Sequence, residues 1–267
     1  MRGGEQVDRE FDVSKARVLE QLQLCLDNSK KGALDAPIEA LLNFINELDD
    51  YVTTSSCSGR IALFCEQQDA RKRTGTWLLA SHDVVTVEAA AAAYQDERIR
   101  DSQGPVMFKF EPFVLHVQCR TLERARDFLK TALDCGLRLW MASLCMCAPC
   151  ISNSGLVLGK KFMVAVRTTL KLESPVAYDG QRLVDEAYIA CLVQMANDMF
   201  AENLQRIARF ETGVRAMVAR QAEQATRALE REHARQARKH SQMAVAPAAK
   251  PTSTPAEAEE PILSLDF

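Results

Sequence analysis

Histidine is scarce in this 267-residue chain, which holds four of them, and tryptophan scarcer still, with two. Aromatic residues make up 6% of the whole. No Walker loop, HExxH, Gly-x-Ser-x-Gly or Gly-x-Gly-x-x-Gly occurs. That excludes the usual P-loop, zinc-protease and serine-hydrolase devices, and any cofactor bound here does without a dinucleotide-type phosphate turn. Long apolar runs are missing too. The longest uncharged one, "LWMASLCMCAPCI" (139–151), has 13 residues, short of the roughly 20 a spanning helix needs. The opening "MRGGEQVDREFDVSK" has no apolar h-region, so neither a secretory route nor a membrane partner is expected, and the chain reads as cytoplasmic. A net charge of −3 gives no whole-molecule pull toward polyanions, so any basic surface must be local. Nine cysteines at irregular spacing read as reduced thiols, since an odd number does not build a disulfide framework.

What is present suits a globular α+β protein. The hydrophobic content of 47% and the length allow one large domain or two small ones with a proper core. Apolar residues recur at helical steps over 12–31 (Ala16, Leu19, Leu22, Leu26), with Gly32 able to close the helix. A second helix starts at "DAPIEALLNFINEL", where Asp35 suits the N-cap and Pro37 the first turn. Short strands follow in "YVTTSS", "RIALFCE" and "TWLLASH", then an alanine-rich helix in "VTVEAAAAAYQDER". "PVMFKFEPFVLHVQCR" reads as two strands interrupted at Pro112. A helix runs from the cap Thr121 to Gly136, and "SGLVLGKKFMVAVRTT" reads as a hairpin turning at Gly159-Lys160. A long helix or helix pair, breaking near Gly213, follows from 185. This order favours a mixed sheet with helices packed on it over a doubly wound parallel sheet. "SCSGRIAL" and "SNSGLVL" echo one another; two related halves would explain this, and chance explains so short a match equally well.

Residues 215–240 hold seven basic side chains (Arg215, Arg220, Arg227, Arg231, Arg235, Arg238, Lys239) against Glu223, Glu230 and Glu232. Such a helix is either a row of phosphate contacts or a solvated face laced with pairs such as Glu223–Arg227. The organisation expected is a main folded domain over 1–212, to which any catalytic role would belong, a basic helical extension over 213–241 and a disordered acidic tail over 242–267.

Chemistry concentrates in "TTSSCSGR" (53–60). Gly59 permits a turn and a close approach by a ligand. The hydroxyls of Ser55, Ser56 and Ser58 and the fork of Arg60 can hold a carboxylate or phosphate. A polar turn without function has the same composition. Cys57 as a nucleophile needs a lowered pKa and a base. His82 and His116 are the two histidines outside the C-terminal segment, each either structural or that base. Cys145, Cys147 and Cys150 in "CMCAPC" resemble half a metal site but lack a fourth ligand at a matching spacing, so no metal is expected.

Four stretches in order, "TTSSCSGR", "WLLASH", "FKFEPFVLHVQCR" and "NSGLVLGKKFMVAVR", together resemble the tRNA wybutosine-synthesizing protein 3 family, from about residue 10 to about residue 212. The signature Ser-x-Ser-Ser-Cys-x-Gly-Arg, then Trp and Ser-His, is met except that Thr53 replaces its first Ser. The resemblance implies a non-Rossmann methyltransferase that uses S-adenosylmethionine. Its expected substrate is N4 of a tricyclic guanosine derivative beside the anticodon of phenylalanine tRNA. No obligate protein partner is inferred. Ser55–Arg60 with Ser154 and Gly155 would then hold the cofactor. His82 or His116 would act as base, and Trp77, Ser81, Arg120 and Arg167 would meet tRNA. Against the family pattern, "LWMASLCMCAPCIS" (139–152) is an insertion, read either as a surface loop or as a gene-model error.

Overall fold

The computed structural model describes residues 2–23, 34–69, 72–137, 144–145 and 161–244. The expected closure at Gly32, the Gly159-Lys160 turn, Ser154, Gly155, most of the 139–152 insertion and the tail from 245 lie outside these residues, as does the second copy of the echo. The elements run α1 (Arg2–Gln23), α2 (Ala36–Glu47), β1 (Tyr51–Cys57), β2 (Arg60–Asp69), β3 (Lys72–Ser81), α3 (Val87–Tyr94), β4 (Pro105–Glu111), β5 (Val114–Cys119), α4 (Leu122–Asp134), β6 (Leu144–Cys145), β7 (Phe162–Arg167), β8 (Leu172–Tyr178), β9 (Gln181–Arg182) and α5 (Glu186–Ala244). By its contacts the chain divides into two units, Met1–Ala219 and Arg220–Phe267. No described helix is long and apolar enough to cross a membrane.

The α+β class and the long C-terminal helix are as the residue pattern predicts. In place of one mixed sheet, however, the strands divide into β1-β5-β7-β6 and β3-β2-β4-β8-β9. Every pairing is antiparallel. The reason lies in how the strands connect. β1 passes into β2 through Ser58-Gly59, β4 into β5 through Pro112-Phe113, and β7 into β8 through residues 168–171. Each connection carries the chain from one sheet to the other, leaving no room for the helical crossover that parallel neighbours require.

Each sheet has its own core. Leu41 and Ile45 of α2, Leu115 and Val117 of β5, Phe128 of α4 and Phe210 of α5 pack on the first. Ile61, Phe108 and Phe110 of β2 and β4, with Tyr94, Leu192 and Phe200, make the second. Helix α5 serves both, its apolar stripe passing from Phe200 through Ile207 to Phe210 and Val214. Burying each such aromatic contributes about 1.5–3 kcal/mol.

The break expected near Gly213 is absent: α5 is continuous there. A Cβ on Gly213 would stand 2.4 Å from Cys135 Sγ, just past the end of α4. This glycine is a point of close helix packing, and the helix tolerates it because packing outweighs a propensity cost of about 1 kcal/mol. Thr121 caps α4 as expected, its hydroxyl accepting from the Arg124 N–H. Asp35 stands at the N-cap of α2 but makes no side-chain cap bond. Its carboxylate is occupied elsewhere.

Candidate functional site

The two adjacent crossings, Ser58-Gly59 and Pro112-Phe113, meet α5 at Asn203. Its Nδ2 donates to Ser58 O at 2.7 Å, and its Oδ1 accepts from Phe113 N–H at 2.9 Å. The amide is fully buried, which is tolerable because both ends are bonded. Gly59 has φ +111°, and a Cβ there would meet Glu111 O at 3.0 Å and Asn203 Nδ2 at 3.1 Å. Conformation and space both require glycine.

Ser58 faces inward. It is 0% exposed, and its N–H and hydroxyl both donate to Asp35 Oδ2, at 2.9 and 3.1 Å. The same carboxylate oxygen lies 3.2 Å from His82 Nδ1, which in turn is 3.7 Å from Cys57 Sγ. So the chain between β1 and β2 is drawn onto the start of α2, and His82, one residue past β3, is drawn with it. Ser81 shapes that bend: its hydroxyl donates to Asp83 O and accepts from the Asp83 N–H. The ligand atoms of Asp35, Cys57 and His82 lie within 4.8 Å of one another, a spacing a metal could share. The Asp35 carboxylate also accepts both bonds from Ser58.

A second group of the expected residues falls on one face of the first sheet. Ser55 pairs with His116 and Cys57 with Val114; His116 pairs with Ala165 and Val114 with Arg167. Directly opposite residues share a face, as do residues two apart on one strand. Ser55, Cys57, His116 and Arg167 therefore lie together, with Ser55 and Arg167 exposed and Cys57 and His116 half-buried. Burial holds His116 below its usual 6.5, and the charge of Arg167 adds to that. Burial pushes the Cys57 thiol up; a backbone bond from Gly59 opposes this and the Asp35 charge adds to the rise. A protonated, partly enclosed thiol beside a carboxylate is a poor nucleophile. Beyond Arg167, the buried Thr168 Oγ1 has no hydrogen-bond partner among the described residues.

On the second sheet, Arg60 pairs with Glu111, and its guanidinium lies 4.3 Å from the centre of the Trp77 ring. Trp77 leans on Phe64, ring centres 4.5 Å apart. A Cβ on Gly75 would stand 2.3 Å from the Phe64 ring, so this glycine makes room for it. Both rings remain half-exposed. Arg120 stands apart from this group: it pairs with Asp12 at 2.6 Å and Asp50 at 3.1 Å and stacks over Phe11.

The structure thus brings Cys57 to His82, Ser55 and Arg167 to His116, and Arg60 to Trp77. Three residues that hold the candidate site together escape a reading of the residues alone. Asp35 was read only as a cap, and Glu111 carried no signal. Asn203 did carry one, since it is an amide on the apolar stripe of Phe200, Ile207 and Phe210.

Comparison with known proteins identifies the family. The family described as Methyltransferase TYW3 matches residues 13–216. A tRNA wybutosine-synthesizing protein 3 homolog from Xenopus laevis is 40% identical over 191 residues, 70% of this chain and 68% of that one. A second, from Danio rerio, is 39% identical over 202 residues, covering 74% and 73%. An archaeal relative from Thermococcus sibiricus is 31% identical over 210 residues, 79% of this chain and 97% of that one. It is named as a tRNA(Phe) 7-((3-amino-3-carboxypropyl)-4-demethylwyosine(37)-N(4))-methyltransferase. Among solved structures, the PH1069 protein from Pyrococcus horikoshii superposes with a TM-score of 0.63 at 28% identity, covering 79% of this chain and 96% of that one. With its fold, its crossing-strand site and these likenesses together, the chain belongs to the TYW3 family of tRNA methyltransferases.

Proposed function

We propose that the chain transfers a methyl group from S-adenosylmethionine to N4 of the tricyclic modified guanosine beside the anticodon of phenylalanine tRNA. The observation that carries this reading is the half-exposed sheet face bearing Ser55, Cys57, His116 and Arg167, with His82 held against it by Asp35. The archaeal relative's name supplies the acceptor atom. A cytoplasmic location is part of the same proposal.

The residues present fit the cofactor. Exposed or half-exposed hydroxyls at Ser55 and Ser56, the guanidinium N–H groups of Arg60 left over from Glu111, and the unpartnered Thr168 hydroxyl offer bonds for an amino-acid carboxylate and ribose. The resemblance adds Ser154 and Gly155. When bound, S-adenosylmethionine supplies a methyl group on a sulfonium, which in-line displacement moves to nitrogen without a covalent enzyme intermediate. The chain's own work is alignment and proton removal. Ser58 and Gly59, turned inward, shape the cradle while Ser55 and Cys57 line it. His82 takes the acceptor's proton: with its Nδ1–H given to Asp35, its Nε2 is the accepting nitrogen. His116, kept neutral by burial, is a hydrogen-bond partner on the same face. Trp77, backed by Phe64, is a stacking surface for a tRNA base, and Arg167 is a phosphate contact. Ser81 sets the position of His82, and Arg120 holds α1 to the start of β1 through Asp12 and Asp50.

Mass spectrometry of anticodon-loop nucleosides, from a host lacking its own enzyme, tests the reading. Adding this chain is expected to convert the demethylated intermediate to its N4-methylated product. If the chain binds tRNA, ignores S-adenosylmethionine and leaves the intermediate untouched, it is a binding module and the catalytic reading fails.

A further inference from the structure

The family match ends at residue 216, yet α5 continues to Ala244. At 100° per residue, Arg220, Arg227, Arg231, Arg235 and Arg238 fall within an arc of about 80° on one side of the helix, spread over about 27 Å. All five are exposed. Glu223, Glu230 and Glu232 fall outside that arc. Of these acids, Glu223 reaches Arg227 at 3.8 Å and Glu232 accepts from Gln236 at 3.2 Å. Among the described residues, Arg231, Arg235 and Arg238 have no ion-pair partner. The laced-face alternative therefore accounts for one arginine of the five.

Arg227, Arg231 and Arg235 stand four residues apart in succession, where like charges repel along a helix. A row that works against its own helix calls for an anion laid along it. Its opposite side excludes two other partners. Leu229, 62% exposed, is the lone large apolar residue from 219 to 242, so no apolar face exists to enter a membrane or to pack on a partner helix.

We infer that this arginine row is an auxiliary arm that grips the phosphodiester backbone of the tRNA substrate, adding affinity without base recognition. The inference rests on the tRNA reading above. Its chemistry is guanidinium to phosphate, and its mark is salt dependence, because each neutralised phosphate releases counterions.

The test measures tRNA affinity between 50 and 200 mM salt, and steady-state methylation, for the full chain and for R231Q/R235Q/R238Q. Glutamine keeps helix propensity, which far-UV circular dichroism checks. The expected result is a log–log salt slope shallower by about 2–3, a raised KM for tRNA and an unchanged kcat. The all-lysine triple variant restores affinity, since charge is what matters. It also serves as the comparison if the glutamine variant loses helix. An unchanged slope in the glutamine variant, or lysine that fails to restore binding, overturns the arm. Vesicles containing phosphatidylserine are the control: if they bind the full chain as tightly as tRNA does, RNA is the wrong partner. Loss of tRNA binding in the glutamine variant of a chain that never transfers methyl would keep the arm and remove the methyltransferase reading. Transfer by both proteins at equal KM would do the reverse.

Discussion

His82 and His116 both meet strand β1, two residues apart, through Cys57 and Ser55, and their surroundings differ in kind. His82 ends a strand and is held by a carboxylate that also takes two bonds from Ser58. His116 sits inside a strand, its ring held neutral by burial and by Arg167. A carboxylate at Nδ1 fixes the tautomer that leaves Nε2 as the accepting nitrogen, whereas burial beside a guanidinium opposes protonation of His116. Two histidines that meet one strand from different elements can therefore divide the labour. The difference comes from neighbours that are distant in sequence: Asp35 on one side, Arg167 on the other.

Removing His82 should break this contrast most sharply. His82→Gln is expected to lower methyl transfer at saturating tRNA by about 10²–10⁴-fold, with His116→Gln costing less than about tenfold by the same measure. Equal losses would erase the division of roles. Asp35→Asn comes next. The amide oxygen can still accept from Ser58, so folding survives, but the hold on His82 weakens and transfer should fall about 10- to 100-fold. A lowered kcat at an unchanged melting temperature marks positioning, whereas a fall in both marks a structural role.

A smaller effect concerns pH and His116. Its folded pKa lies below the unfolded value, so the unfolded chain takes up a proton first as pH falls below about 6.5. Stability contributed by the neutral ring is present above that value and is lost on acidification toward the lower folded value. His116→Gln should flatten this part of the melting-temperature profile; an unchanged slope assigns the acid loss to other groups. Smallest of all is Cys57→Ser. A protonated thiol that only fills space should leave transfer within about tenfold of the wild type, and complete loss would revive a nucleophilic cysteine.

Local signals were legible where chemistry is local. Thr121 before an amphipathic run, Pro37 in a first turn and the alternation of "FKFEPFVLHVQCR" identify caps and strands because each needs only near neighbours. Gly213 misled for the same reason: a glycine reads as a helix break until the Cys135 packed against it is known. The division into two sheets was hidden too, since Ser58-Gly59 and Pro112-Phe113 look like ordinary turns and act as crossings only once both sheets exist.

The site divides along the same line. By residue type and spacing, the sequence singled out "TTSSCSGR", His82 and His116 as candidates, and the motif order that pointed to a family added Trp77. Only the tertiary structure decided that Ser58 turns inward, that Asp35 gives its carboxylate to Ser58 and His82 and not to the helix cap, and that Asn203 ties two crossings together. These are hydrogen bonds across 23 to 145 positions of sequence. A chain written in one dimension specifies such partners only through the packing that brings them together.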